Sequence, residues 1–196
     1  MTEFYGEAGT GKTNICLQAA RECAKQGKKV GYIDSEGVSI ERLQQLCSTK
    51  EYDEEEVLNN ILIFSPTTLE DQEKMIKNAL KVQDLQLIIV DTLNIFYRLN
   101  LEEDKDKTMR LFSKQVATLQ KAAREKNLYA IITEQVYTDK TGEIKPFTNR
   151  DVEHIVKTIV KLEKIGQGRR QATIMKHRSQ PEAKTTQFSI TNCGIQ

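Results

Sequence analysis

A chain of 196 residues has the size of one folded domain, and its 38% apolar and 29% charged residues, with a mean hydropathy of −0.53, exclude a membrane-spanning or natively disordered chain. No stretch approaches the ~20 apolar residues of a membrane span and no basic-then-apolar leader opens the chain, so an intracellular, cytoplasmic protein without membrane partners is expected. A formal net charge of +1 gives no global electrostatic case for nucleic acid, so any such surface must be local.

Phe4 and Tyr5 read as a short apolar strand that runs directly into Gly6-Glu7-Ala8-Gly9-Thr10-Gly11-Lys12-Thr13. This octet fits G-x-x-x-x-G-K-[ST] without a gap and is followed by a helical run, which is the context a phosphate-binding loop requires. Glycines let the backbone curl with its N–H groups inward, and the helix N-terminus behind it favours anions. Lys12 is expected on the β/γ phosphates and Thr13 on Mg²⁺. Ile15, Leu17, Ala20 and Ala24 then step at helical spacing to a stop at Gln26-Gly27.

Lys29 to Asp34 reads as a strand, Ser39 to Cys47 as a helix, Asn60 to Ser65 as a strand and Leu69 to Val82 as a helix. The acidic Glu51 to Glu56 stretch reads as a solvated turn and helix start. Gln86 to Asp91 is a buried strand ending in a carboxylate, the form of a Walker B segment, in which Asp91 holds Mg²⁺ through water. Asp34-Ser35-Glu36-Gly37 places Glu36 just past another strand, at the edge where open α/β sheets bind ligands, so Glu36 is the candidate general base for water.

Met109, Phe112, Val116, Leu119 and Ala123 mark a long amphipathic helix, and Leu128 to Thr133 the next buried strand. Thr133-Glu134-Gln135 closes it with a neutral amide able to bond a γ-phosphate oxygen and lose that bond on hydrolysis. Ile155 to Ile165 and Arg170 to His177 flank Gly166-Gln167-Gly168 as an antiparallel hairpin, and Gln187 to Thr191 is a last strand. Alternating strands and helices followed by a hairpin predict an α/β fold: one domain over 1–196, a mainly parallel sheet flanked by helices. The four cysteines, Cys16, Cys23, Cys47 and Cys193, lack metal spacing and read as small hydrophobes.

Two places carry the local positive charge. Tyr137 to Arg150 holds Lys140, Lys145, Phe147 and Arg150, lysines with an aromatic among them that suit single-stranded nucleic acid. From Lys157 to Lys184 eight basic residues, among them Arg169 and Arg170, face only Glu163 and Glu182. Both stretches are candidate DNA surfaces.

The order GEAGTGKTN, YIDSEGVSIERL, LIIVDT, IITEQV and PEAKTTQFSI resembles the ATPase core of the RecA/RadA recombinase superfamily, most closely its archaeal accessory branch, across essentially the whole chain. The resemblance implies a RecA-like P-loop ATPase core that binds ATP and Mg²⁺, with Asn14 ending the matched loop. It implies Glu36 as catalytic glutamate, Gln135 as γ-phosphate sensor and Arg42 beside the adenine. Lys176 and Arg178 alternate on one strand and correspond to lysines that reach a neighbour's ATP in bacterial RecA. The implied function is weak ATP hydrolysis in the service of DNA repair and homologous recombination. The implied partners are single-stranded DNA, the RadA recombinase, a Holliday-junction resolvase and other copies of this chain. An autonomous strand-exchange enzyme and a KaiC-like ATPase or kinase remain open alternatives.

Departures from the family pattern matter as well. None of the six phenylalanines is followed three residues later by alanine, the polymerisation motif of RadA-like recombinases. A subunit of that kind is expected to keep the receiving pocket, placed around Phe112 and Val116, and so to cap a RadA filament. The family carries residues ahead of the first strand, which leaves open a truncation at the N-terminus. Leu101 to Asp106, where loop one is expected, is too acidic to track a phosphate backbone.

Overall fold

The computed structural model describes residues 1–48, 52–102, 104–147 and 150–196, without the side chains of Arg150 and Asp151. Among these residues nine strands form one sheet in the order β11-β10-β9-β8-β1-β5-β4-β2-β3. Those on the parallel side are β1 (Thr2–Gly6), β2 (Lys29–Asp34), β3 (Ile61–Phe64), β4 (Leu85–Asp91), β5 (Tyr129–Glu134) and β8 (Thr158–Gly166). The strands β9 (Arg169–Lys176), β10 (Thr185–Thr191) and β11 (Gly194–Ile195) continue it antiparallel. A separate two-stranded hairpin joins β6 (Val136–Thr138) to β7 (Ile144–Pro146).

Among the described residues the helices flanking the sheet are α1 (Lys12–Ala24), α2 (Ile40–Cys47), α3 (Glu54–Asn59), α4 (Leu69–Ala79), α5 (Ile95–Asn100), α6 (Lys105–Glu125) and α7 (Arg150–Ile155). Strand periodicity splits the core between the two faces. Val30, Tyr32, Leu87 and Ile89 point to the layer of Leu17, Ala20, Leu43 and Leu46 on α1 and α2. Ile33, Ile88 and Val90 point to the layer of Ile76, Phe112, Val116 and Leu119 on α4 and α6. Four helices begin on a side chain that accepts a backbone N–H: Ser39, Asp53, Thr68 and Asp104. The acidity around Leu101 to Asp106 thus has a structural use, since Asp104 caps the long helix and Asp106 lies in its positive first turn.

Several boundaries differ from the sequence expectation. The strand expected from Ile155 begins at Thr158, because Arg150–Ile155 completes a helical turn with Val152 and Val156 packed into the core. The helix expected to reach Val82 ends at Ala79. Phe112 and Val116 are fully buried, with Tyr97 stacked on Phe112 at 4.4 Å between ring centroids, so they line no receiving pocket. Cys16 and Cys47 are buried, whereas Cys193 is exposed. Among the described residues no His/Cys/Asp/Glu group has metal-site geometry, and no helix is long and apolar enough to cross a membrane.

Candidate nucleotide site at the carboxyl edge of the sheet

Parallel strands end together, and here their ends carry the polar residues: in register, Asp34 lies beside Asp91 and Tyr5 beside Glu134. The loop from Gly6 to Thr13 closes over this edge. Gly6 lies so near β8 that a Cβ would fall 2.2 Å from the Leu162 carbonyl oxygen. Gly11 adopts φ 105°, a conformation that L side chains resist, and packs under Phe188 and Ile190 of β10. Thr10 returns its hydroxyl to the Glu7 carbonyl at 2.8 Å, fixing the curl. Lys12 Nζ donates inward to the carbonyls of Gly6 at 2.6 Å and Glu7 at 3.1 Å. Burial lowers the pKa of this ammonium, and the carboxylates of Glu36 and Asp91 oppose the shift. Anionic phosphate oxygens would replace two neutral carbonyls with stronger acceptors.

Asp91 is buried, and both its oxygens accept: Oδ2 from Tyr32 Oη at 2.7 Å and Oδ1 from Thr133 Oγ1 at 2.6 Å. Each oxygen keeps a lone pair, and Thr13 stands in the first turn of α1, so the donor set suits an all-oxygen, water-bridged divalent cation such as Mg²⁺. Asp34 is spent locally. Its two oxygens accept the N–H groups of Gly37 at 2.9 Å and Val38 at 2.7 Å, building the turn that presents Glu36. Behind that turn, Ser35 Oγ bonds Gln72, which bonds Gln115 and the Leu93 carbonyl, so the turn is braced through two buried amides to α6.

Gln135 Nε2 donates to Glu36 Oε1 at 2.8 Å, which joins two of the candidate catalytic groups directly. Asn94, fully buried, holds that segment in place by accepting from Gln135 N at 2.9 Å and donating to the carbonyls of Gln135 at 3.0 Å and Phe147 at 3.1 Å. Gly6, Glu7, Ala8, Lys12, Glu36 and Gln135 line one cavity of about 350 Å³ together with Arg98 and the β6 strand.

Comparisons with known proteins assign the fold that carries this edge to a family. The sequence model of the Rad51 family matches residues 1–196. The chain belongs to the Rad51 family. It is 41% identical over 200 residues to a DNA repair and recombination protein RadB of Methanococcoides burtonii, covering 100% of this chain and 88% of that one. A protein of the same description from Thermoplasma acidophilum is 37% identical, with 100% of this chain and 84% of that one covered. The crystal structure of a RadB recombinase superposes with a TM-score of 0.86 at 33% identity, covering 99% of this chain and 88% of that one. The RecA-like architecture expected from the sequence is therefore present over the described residues.

Within this Rad51-family fold the remaining candidates lie apart. Arg42 reaches across α1, with Nε donating to Asn14 Oδ1 at 2.9 Å and its terminal nitrogens to Gln45 and the carbonyls of Thr191 and Asn192. Those bonds lie in the guanidinium plane. Arg170 lies against the phosphate loop, its Nε donating to the Gly9 carbonyl at 3.2 Å, while Arg169 beside it is exposed. Lys164, paired with Arg170 across the hairpin, also stands over Gly9, a proximity that sequence spacing did not indicate. Lys176 and Arg178 lie at the opposite edge of the sheet: Lys176 pairs with Ile159 near the start of β8 and donates to the Glu153 carbonyl, and Arg178 faces Arg124 and Lys157. Neither is placed to touch a nucleotide on its own loop.

In the candidate DNA segment from Tyr137 to Arg150, residues 137–146 belong to the β6–β7 hairpin. Lys145 pairs with Asp139 at 2.7 Å and Glu143 at 3.0 Å, which raises its pKa and depresses that of Asp139. Lys140 is exposed at the turn. Phe147 packs against Tyr97 and Tyr137 at 6.2 and 5.7 Å between centroids, under the Arg98 guanidinium. The side chain of Arg150 lies outside the described residues.

Proposed function

We propose that this chain is an ATP-binding, slowly hydrolysing accessory of homologous recombination and DNA repair, acting on DNA and on a RadA-type recombinase. The observation that carries the chemical part is the Gln135–Glu36 hydrogen bond beside the Lys12 ammonium, in one cavity at the mouth of the phosphate loop. Lys12, with the N–H groups of residues 8–13 and the start of α1, would bind the triphosphate. Mg²⁺, when bound by Thr13 and Asp91, would supply charge neutralisation on the phosphates. Glu36 would accept the proton of the attacking water, and Gln135 would hold that carboxylate until a phosphate oxygen draws its amide away. Asn14 and Arg42 would flank the base, the free guanidinium face suiting stacking.

DNA binding would rest on Lys140 and Arg169, with Lys145, Phe147, Arg150 and Arg170 contributing where their present partners release them. The relatives' role in DNA repair and recombination supports the expectation of a DNA surface. Lys176 and Arg178 would act on the nucleotide of a second copy, and their place at the far edge of the sheet supports a role between subunits. Mixing Arg178→Ala with Lys12→Ala chains tests this: recovered ATPase is the expected result, and no recovery at any ratio counts against it. Light scattering with single-stranded DNA and RadA separates the accessory role from autonomous filament formation. Long filaments formed by this chain alone would overturn it.

A further inference from the structure

The sheet has a second edge, at the amino ends of its parallel strands, that the nucleotide site does not use. Because β1 pairs in parallel with both β5 and β8, with Thr2 opposite Ile131 and Thr158, the residues leading into these three strands gather there. They are Met1, Leu128 and Lys157, and Arg124 joins them from the last turn of α6, the helix that feeds β5. Strand β9 runs antiparallel to β8, so its far end returns to the same edge and brings Arg178 with it. Arg124, Lys157 and Arg178 line a cavity of about 540 Å³, together with Gln120 and the apolar Met1, Ala123 and Leu128. That size falls within the range of ligand clefts, ~300–1,000 Å³.

No carboxylate lines this cavity, and among the described residues none of the three cationic side chains makes a hydrogen bond or an ion pair. Other cations are engaged within the chain: Lys145 by Asp139 and Glu143, Lys161 by Glu163, and Arg42 by the carbonyls of Thr191 and Asn192. Three like charges around one concavity repel one another, a repulsion that an entering anion relieves.

We infer that this cavity is a docking site for an acidic peptide segment of a partner protein, one that carries an apolar side chain beside its carboxylates. Two of the three cations are guanidiniums, whose paired donors match the two oxygens of a carboxylate. A single strand of nucleic acid is held by cations strung along a groove, with rings on which its bases stack. Here the cations surround one cavity, and its lining holds apolar side chains and no aromatic ring. Carboxylates of an acidic segment reach the cations while its apolar side chain meets Met1, Ala123 and Leu128. Docking needs no nucleotide. Because Arg178 is also assigned to the nucleotide of a second copy, Arg124 and Lys157 carry the test.

The test is fluorescence anisotropy on the full chain, without nucleotide, using a labelled, amidated peptide Asp-Asp-Asp-Leu-Phe. The peptide should bind, and more weakly as salt rises. Asp-Asp-Asp-Ser-Ser should bind at least about fivefold more weakly, which separates the apolar contact from attraction of any polyanion. Arg124→Gln and Lys157→Gln should each weaken the first peptide about fivefold, the scale of one partly exposed ion pair. Lys157→Gln should also leave the urea midpoint unchanged or raise it, since it removes a repelled charge. A lower midpoint would show that the ammonium is engaged inside the chain and would overturn the proposal. No binding at about 1 mM peptide, equal binding of the two peptides, or unchanged affinity in either variant would overturn it as well. Labelled oligo-thymidylate is the remaining arm. If the two substitutions weaken it as much as they weaken the peptide, the cavity is a nucleic-acid contact and the peptide site is refuted; the expected result is a smaller loss for the oligonucleotide. Failure of peptide binding leaves the ATP reading standing, and a chain unable to bind ATP leaves the peptide result standing.

Discussion

The carboxyl edge of the sheet and the basic C-terminal hairpin are built from similar residue types, yet their charges are used differently. At the edge three carboxylates have assigned partners: Asp34 holds two backbone N–H groups, Asp91 two hydroxyls, and Glu36 the amide of Gln135. Along the hairpin the basic excess is dispersed. Arg170 lies on the phosphate loop, Lys161 pairs with Glu163, Lys176 reaches a carbonyl near the far edge, and Arg169 faces solvent. The contrast teaches that residues spaced by strand ends converge because the parallel sheet brings those ends together. A count of charges says nothing about how many remain available.

The largest effect expected is at the edge. Lys12→Ala removes two charge-assisted contacts to phosphate, at ~1.5 kcal/mol or more each, and should weaken nucleotide binding about 100-fold in a calorimetric titration. Affinity within threefold of the parent chain would detach the loop from its assigned role.

Asn94→Ala should come next. It strips three hydrogen bonds from a fully buried side chain and takes the Asn94 partner from the Gln135 N–H and the Phe147 carbonyl, a loss of about 2–3 kcal/mol in urea unfolding. If stability holds and only turnover falls, Asn94 positions the amide without supporting the fold.

Glu3 sharpens the comparison from a different side, as a carboxyl group inside the sheet layer with no hydrogen-bond partner for either oxygen among the described residues. Burial, reinforced by Glu153 and opposed by Lys176, pushes its pKa up to about 8. The raised value means the folded state keeps a proton that the unfolded chain releases, so stability should fall as pH rises from the ordinary glutamate range toward 8. One group contributes a slope of at most about 1.4 kcal/mol per pH unit, and Glu3→Gln should flatten it. An unchanged slope in denaturation series across this range would assign the pH dependence elsewhere.

The smallest effect separates two neighbouring arginines. Arg169→Ala should lower the duplex-DNA salt slope by about 0.9, one phosphate contact, and leave nucleotide affinity alone. Arg170→Ala should change the slope less, because its guanidinium is engaged with Gly9 and Gly168, and should instead shift nucleotide affinity a few-fold. Equal salt effects would put both on the DNA surface.

Much of the fold was legible because its signals are local and repetitive. Buried strands such as Leu85–Asp91 read as apolar runs, α6 as a three-and-four stepping pattern, and the phosphate loop as contiguous letters. The short elements were not. The β6–β7 hairpin is three residues a side, and α7 ends in an apolar run that reads equally as the start of β8. In the site, Lys12, Glu36, Asp91 and Gln135 were readable because each follows or ends a strand. Asn94 and Arg98 follow the Walker B strand without a pattern, and only the folded loop shows that one braces Gln135 and the other donates to its amide oxygen. Lys164 over Gly9 depends on hairpin register, which charge counting cannot supply.

The most direct test of the central claim, that this edge hydrolyses ATP through Glu36, is a side-by-side measurement of ATP turnover and ATP affinity for the parent chain and Glu36→Gln at saturating Mg²⁺. The substitution keeps size and hydrogen bonding but removes the proton acceptor, so turnover should fall by about 100-fold or more while affinity stays within about threefold. Equal turnover in the two chains would contradict the account and move the base away from Glu36.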